Sequence, residues 1–272
     1  MRTVVRWNVS KKAKSFSEAD VFLVSFPKSG RTWIRIFLYS YFAFCEKREF
    51  TLDERTVYSS NLFPRLVFTH DLWEHVTSKT WDRIRGKFLI PGRLRRERAV
   101  LLIGRDPRDV IVSLYFQLAN RDRVFNGSLS DMLRHQVYGI QMMVDIMNSW
   151  ISEWGERPDF KLISYESCKL DTERVFREIL DFIGIDKVDE EAFAKSLEFS
   201  RFENMKNMEA GGRFDDKILK PGDLNDQESF KVRKGKVGGY REYLTVEDIG
   251  YSNLALTSLD PRYGYSPFQF NK

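Results

Sequence analysis

"VFLVSFPKSGRTW", residues 21–33, starts as an apolar run from Val21 to Val24, passes through Pro27, Lys28, Ser29 and Gly30, and returns to apolar character at Ile34. A short apolar run closed by turn residues reads as a buried strand, and the apolar residues that follow read as a helix over Thr32 to Cys45. Between them lies a strand–loop–helix junction, where unpaired backbone N–H groups and the positive helix end point at one spot. An anion suits that spot. Gly30 lets the backbone approach closely, Lys28 brings a mobile positive charge, Ser29 and Thr32 add hydroxyl donors, and Trp33 offers a flat face to a base. The stretch departs from the P-loop pattern G-x-x-x-x-G-K-[ST], because the lysine precedes the glycine and no upstream glycine is present, which disfavours a magnesium–nucleoside triphosphate site.

Working outward, residues 65–69, 99–104 and 160–165 are further apolar runs that end at polar or glycine-containing segments. Helical patterns lie between them, at Asp109 to Asn120, at Ser130 to Trp154, and after Asp171. In the last of these Asp171 is a cap, Val175, Phe176, Ile179, Leu180 and Ile183 form one face, and Gly184 is a stop. The alternation predicts an α/β fold: a single domain over 1–272, with a central parallel β-sheet flanked by helices and ligands at the carboxyl ends of its strands. Residues 1–18 are expected to form a flexible N-terminal segment, and 207–240, rich in Gly, Asp, Lys and Asn, a long functional loop or a disordered lid.

Bulk properties narrow the classes. A net charge of +5 favours anionic partners without choosing among them. Cys45 and Cys168 are the only cysteines, so neither a disulfide framework nor a cysteine zinc site is indicated, and no acidic or His/Cys cluster suggests another metal. The Thr32 to Cys45 helix is too short to span a bilayer and carries Arg35, and the first residues lack a secretory apolar core. A cytoplasmic protein without membrane partners is expected.

Two more stretches are suited to phosphate. RDPRDVIVSLYF, 105–116, follows a buried strand; Pro107 presets the turn, Asp109 can cap the helix, and Arg105 and Ser113 can meet at one phosphate. RKGKVGGY, 233–240, joins cations to glycines. Each alone also reads as a surface turn or a solvated loop.

Taken together, FPKSGRTW, RDPRDVIVSLY and RKGKVGG resemble, in order, the three cofactor-binding motifs of the cytosolic type of sulfotransferase: [YF]-P-K-S-G-T-T-W, R-x-P-x-D-x-x-x-S-x-Y and R-K-G-x-x-G. The resemblance implies a donor, 3′-phosphoadenosine 5′-phosphosulfate (PAPS), and a product, adenosine 3′,5′-bisphosphate (PAP), with no metal. It implies that Lys28, Ser29, Gly30, Thr32 and Trp33 bind the 5′ end and the adenine, with Lys28 also neutralising the bridging oxygen of the leaving phosphate. Arg31, in place of the family's threonine, adds a charge for the cofactor or for an anionic acceptor. Arg105 and Ser113, joined by Arg233, Lys234 and Gly235, are implied for the 3′-phosphate and Tyr165 for the adenine; Ser200 and Phe202, in FSRFENMK, more loosely resemble the family's T-S-F-x-x-M-K segment and are implied as cofactor-binding. The same resemblance makes 207–240 a cofactor-covering loop. PRLVFTHD, 64–71, resembles P-R-x-x-K-[ST]-H and makes His70 the implied catalytic base, since a neutral imidazole can take an acceptor proton near pH 7.

Departures accompany the resemblance. Phe68 stands where many members have lysine, which draws attention to Asp71; the basic run 83–98 reads as a solvated insertion in preference to an acceptor-recruiting patch. REYLTVEDIG, 241–250, only partly matches the family's dimer motif, leaving monomer or homodimer open. The expected partner is a small-molecule acceptor and not nucleic acid. Rival readings are a magnesium-dependent small-molecule or nucleotide kinase and a non-enzymatic polyanion-binding module.

Overall fold

The structure, a computed structural model, describes residues 12–211 and 235–267. Four strands form its sheet: β1 (Val21–Ser25), β2 (Leu66–Thr69), β3 (Ala99–Gly104) and β4 (Phe160–Ser164). All pair in parallel, in the order β2-β1-β3-β4. Every residue of β1 is buried, because the strand has neighbours on both sides and helices on both faces.

The two-residue period of a strand divides the core into two layers. Phe22, Val24, Val100 and Leu102 face α3 (Pro107–Phe116) and α4 (Ile140–Trp154), where Trp150 and Trp154 are fully buried. Leu23, Leu101 and Ile103 face the other layer, formed by α1 (Arg31–Cys45) together with α6 (Thr172–Phe182) and α7 (Glu190–Phe199). The remaining helices that matter for the site are α2 (Leu72–Thr77), α5 (Tyr165–Leu170), α8 (Phe202–Ala210) and α9 (Val246–Leu256). This is the α/β architecture with a central parallel sheet that the strand–helix alternation predicts.

Several local expectations are corrected. The helical pattern over 130–154 is two helices, Leu129–Leu133 and α4, parted at Gly139. A Cβ there would lie 2.3 Å from the carbonyl oxygen of His135, so only glycine fits the break, while the apolar spacing runs on across it. Asp106, not Asp109, caps α3, accepting from the Arg108 N–H at 2.9 Å. At the N-terminus, residues 12–17 are helical and Phe16, 2% exposed, packs edge-on to Phe22, so this part of 1–18 is ordered, while 1–11 lies outside the described residues. Within the expected loop 207–240, α8 continues to Ala210 and Gly239–Glu242 forms a 3-10 turn, while 212–234 lies outside the described residues. Among the described residues no helix is long and apolar enough to cross a membrane.

Candidate functional site

Each strand hands the chain to a residue with chemistry. His70 follows β2, the 26–30 loop follows β1, Arg105 follows β3 and Tyr165 follows β4. Because the strands are parallel and paired in register (Val24 with Thr69, Ser25 with Ile103, Gly104 with Ser164), these residues emerge at one edge of the sheet. The chain order reverses between β1 and β3, and crevices of open α/β sheets form at such a point. A cavity of about 850 Å³ opens there, bordered by Lys28, His70, Arg105 and Tyr165 among others.

The end of the cavity over β3 and β4 is tightly tied. Lys28 (φ 69°) and Gly30 (φ 87°) both adopt the left-handed conformation, and a Cβ on Gly30 would lie 2.7 Å from Cδ2 of Tyr165. That close approach is why the loop needs glycine there. Arg105 donates to the carbonyl of Lys28 (2.8 Å) and to that of Lys236 (3.1 Å), and its guanidinium lies 4.3 Å from the centre of the Tyr165 ring. The Tyr165 hydroxyl donates to the Gly235 carbonyl at 3.1 Å, and Gly235 (φ 58°) approaches Phe202 so closely that a Cβ would meet its ring at 2.6 Å. Asp109 accepts from the backbone N–H groups of Gly238 (2.7 Å) and Tyr240 (2.9 Å), pinning the glycine-containing segment over α3. Burial pushes the Asp109 carboxyl up, against the pull of Arg105. Trp33 packs against Phe176 (5.3 Å) and Tyr165 (6.1 Å), with the Lys169 ammonium 5.7 Å from its ring.

At the β2 end stands His70. Its Nδ1 lies 2.7 Å from the carbonyl oxygen of Ser25. A carbonyl only accepts, so Nδ1 carries the proton in the neutral ring and the Nε2 lone pair remains available. Burial first, then the charge of Arg31, lowers the histidine well below its ordinary value, which keeps the imidazole neutral at pH 7. Arg31 borders the cavity beside His70 and Glu74, and Arg35 places its guanidinium 4.1 Å from the centre of the Phe68 ring. Trp73, Leu114, Leu118 and Tyr138 add apolar and aromatic surface.

Asp71 turns away from the cavity into the core. It is fully buried at φ 41°, and accepts from the Ile90 N–H (2.8 Å), from Arg95 (2.7 and 2.9 Å) and from the Trp150 indole (3.3 Å). Arg95 also pairs with Glu153 and donates to the Ile90 carbonyl. The run 83–98 is therefore not simply solvated: one of its arginines is a half-buried peg that locks the insertion to the turn after His70.

Of the residues singled out from the sequence, Lys28, Gly30, Arg31, Thr32, Trp33, His70, Arg105, Ser113, Tyr165, Phe202 and Gly235 border this one cavity. Ser29 is buried beneath the loop with an unpartnered hydroxyl, and Ser200 caps α7, donating to the Leu197 carbonyl at 3.3 Å. Arg233 and Lys234 lie outside the described residues. Sequence reasoning missed the tether at Asp109 and the contacts of Lys236 and Lys169. Both Asp109 and Lys236 stand inside the quoted motifs, so the signal was present without its role.

Comparison with known proteins agrees with this geometry. A family model described as a sulfotransferase domain matches residues 18–254. Cytosolic sulfotransferase 17 of Arabidopsis thaliana is 25% identical over 85% of this chain and 71% of its own length. The amine sulfotransferase of Oryctolagus cuniculus is 26% identical over 90% and 83%. Among solved structures, mouse sulfotransferase SULT7A1 complexed with PAP superposes with a TM-score of 0.62 at 22% identity, covering 90% of this chain and 87% of that one. Retinol dehydratase in complex with androsterone and PAP gives 0.60 at 18%, covering 93% and 84%. With the domain model spanning most of its length, the chain belongs to the PAPS-dependent sulfotransferase family and is an enzyme of that family.

Proposed function

We propose that the chain transfers a sulfuryl group from PAPS to a hydroxyl or amine of a small-molecule acceptor, with His70 as general base. One observation carries this reading: the histidine, with its Nε2 lone pair available, and the cationic loop at Lys28 and Arg105 emerge from adjacent strands onto the same cavity.

The residues present fit an adenylate with two anionic ends. Ser29 Oγ and Arg105 Nε are buried without hydrogen-bond partners, donors that a phosphate can satisfy. Gly30 and Gly235 leave room for backbone to approach a ligand against Tyr165 and Phe202. Lys28, Ser29, Gly30, Thr32 and Trp33 would hold the 5′ end and the base. Arg105, Ser113 and Gly235 would hold the 3′-phosphate, with Arg233 and Lys234 assigned there by the motif alone. PAPS supplies a sulfuryl group joined to a phosphate leaving group.

His70 Nε2 takes the proton of the acceptor hydroxyl as the new oxygen–sulfur bond forms. Lys28 neutralises the oxygen that keeps the electron pair when the sulfur–oxygen bond to phosphate breaks. Position and preorganised charge do most of the work in such a displacement. The aromatic residues beyond His70 favour a flat or apolar small molecule, and an amine acceptor, as in the name of the rabbit relative, is within the same reading. The whole chain acts as one unit, monomer or homodimer, in the cytoplasm.

The test is an acceptor screen with labelled PAPS, read by mass spectrometry for an added sulfonate, alongside calorimetry with PAP and with magnesium-ATP. Heat with PAP and none with ATP is expected. ATP turnover without sulfonation would replace this reading with the kinase.

A further inference from the structure

Arg31 opens α1, and Arg35 follows four residues later on the same helix face, where like charges repel. Both lie beside the proposed base. Arg31 borders the cavity with His70 and Glu74, while Arg35 rests over Phe68 with its Nε buried and unpartnered. Glu74 is the carboxylate that acts on Arg31, yet it is engaged by the Lys12 ammonium at 3.4 Å. Among the described residues neither arginine forms an ion pair. Arg95 and Arg108, by contrast, are paired, Arg95 with Asp71 at 2.7 Å and Arg108 with Asp106 at 2.6 Å.

Burial and Arg35 outweigh Glu74 in opposing a cation at Arg31. The first turn of α1 holds no acidic residue, and its N–H groups present positive charge. Burial first, and Arg35 second, bring the guanidinium down from its ordinary value to about 9. A half-buried charge with no ion-pair partner among the described residues is costly unless something completes it. The donor end of the cavity has its own cations, Lys28 and Arg105, whereas Arg31 acts on His70, which follows β2, and is acted on by Glu74 of α2.

We propose that the physiological acceptor is an anion: a hydroxyl or amine compound carrying a carboxylate, which Arg31, backed by Arg35, holds while the nucleophilic atom lies at His70 Nε2. This rests on the sulfotransferase reading of the cavity. Arg31 is then the residue that selects the acceptor, and the charge left unmatched in the free protein is matched by substrate.

The test uses the full chain and matched probes: 3-hydroxybenzoate, 4-hydroxyphenylacetate and 3-(4-hydroxyphenyl)propionate, each against its methyl ester. Binding to PAP-saturated protein is read by calorimetry and turnover with labelled PAPS. At least one acid is expected to exceed its ester by about tenfold or more in affinity or kcat/KM, as a charge-assisted pair would give. Arg31→Gln should erase that ratio and Arg31→Lys should retain part of it. Removing an unmatched charge should also raise the Tm of the ligand-free protein by about 2–4 °C. Esters equal to acids in every pair, no acid bound at all, or equal losses for acid and ester in Arg31→Gln would each overturn the proposal. So would a fall in Tm, which would make Arg31 a structural residue. PAP calorimetry on the parent protein is the separate control: absence of heat there sinks the donor reading, whatever the acids do.

Discussion

The two ends of the cavity are built differently. Over β3 and β4 the polar groups are already engaged with one another: Arg105 with two carbonyls, Tyr165 with Gly235, Asp109 with two backbone N–H groups. Over β2 His70 keeps a lone pair available, and among the described residues two arginines have no ion-pair partner. The first end is preorganised for one ligand, which is why its residues form motifs. The second end leaves its specificity to whichever molecule completes it. Preorganised donors lower the cost of binding, and unmatched charge is tolerated where a partner arrives with the substrate.

The sharpest way to break this contrast is His70→Ala. Loss of the base is expected to lower kcat by about 10³-fold, with PAP affinity changed less than about threefold, measured by turnover and calorimetry. Near-normal kcat would remove His70 from its role.

Next in size is Asp71→Ala, which leaves Arg95 and the Trp150 indole without their partner. Breaking such a buried network is expected to cost about 3–5 kcal/mol in urea unfolding. A cost below about 1 kcal/mol would mean that the turn after His70 is held by packing alone. Arg105→Ala tests the other end: PAP affinity should fall about tenfold to a hundredfold, the scale of hydrogen bonds to charged groups. Equal affinity would show that the ties of Arg105 to Lys28 and Lys236 serve the fold only.

The smallest expected effect is a displacement on the pH axis. A protonated imidazole cannot accept the acceptor proton, and burial with the Arg31 charge lowers His70 below its ordinary value. The rate should therefore hold as pH falls through about 6.5 and decline only below it. An acid limb at or above that value would indicate a solvated histidine. Arg31→Gln should move the limb upward, because the second-largest cause of the lowering is gone.

Much of this was legible because burial on both faces leaves a plain signature. All four strands lie within a residue of the apolar runs, and Lys28, His70, Arg105 and Tyr165 were marked by following them. The break at Gly139 was hidden because apolar spacing continues through it, and Asp109 read as a cap because its true partners are 129 and 131 residues away. Asp71 drew attention as a neighbour of His70, but its direction depends on groups 19, 24 and 79 residues distant.

The sequence by itself determined the layered α/β sheet, the three motif stretches and the family, since periodicity and local turn chemistry act over a few residues. Only the tertiary structure decided which nitrogen of His70 is available, that Asp71 serves the core, and that Arg31 and Arg35 lie near His70 with no ion pair among the described residues. Those outcomes depend on atoms brought together from distant strands, and no local pattern encodes a distance between them.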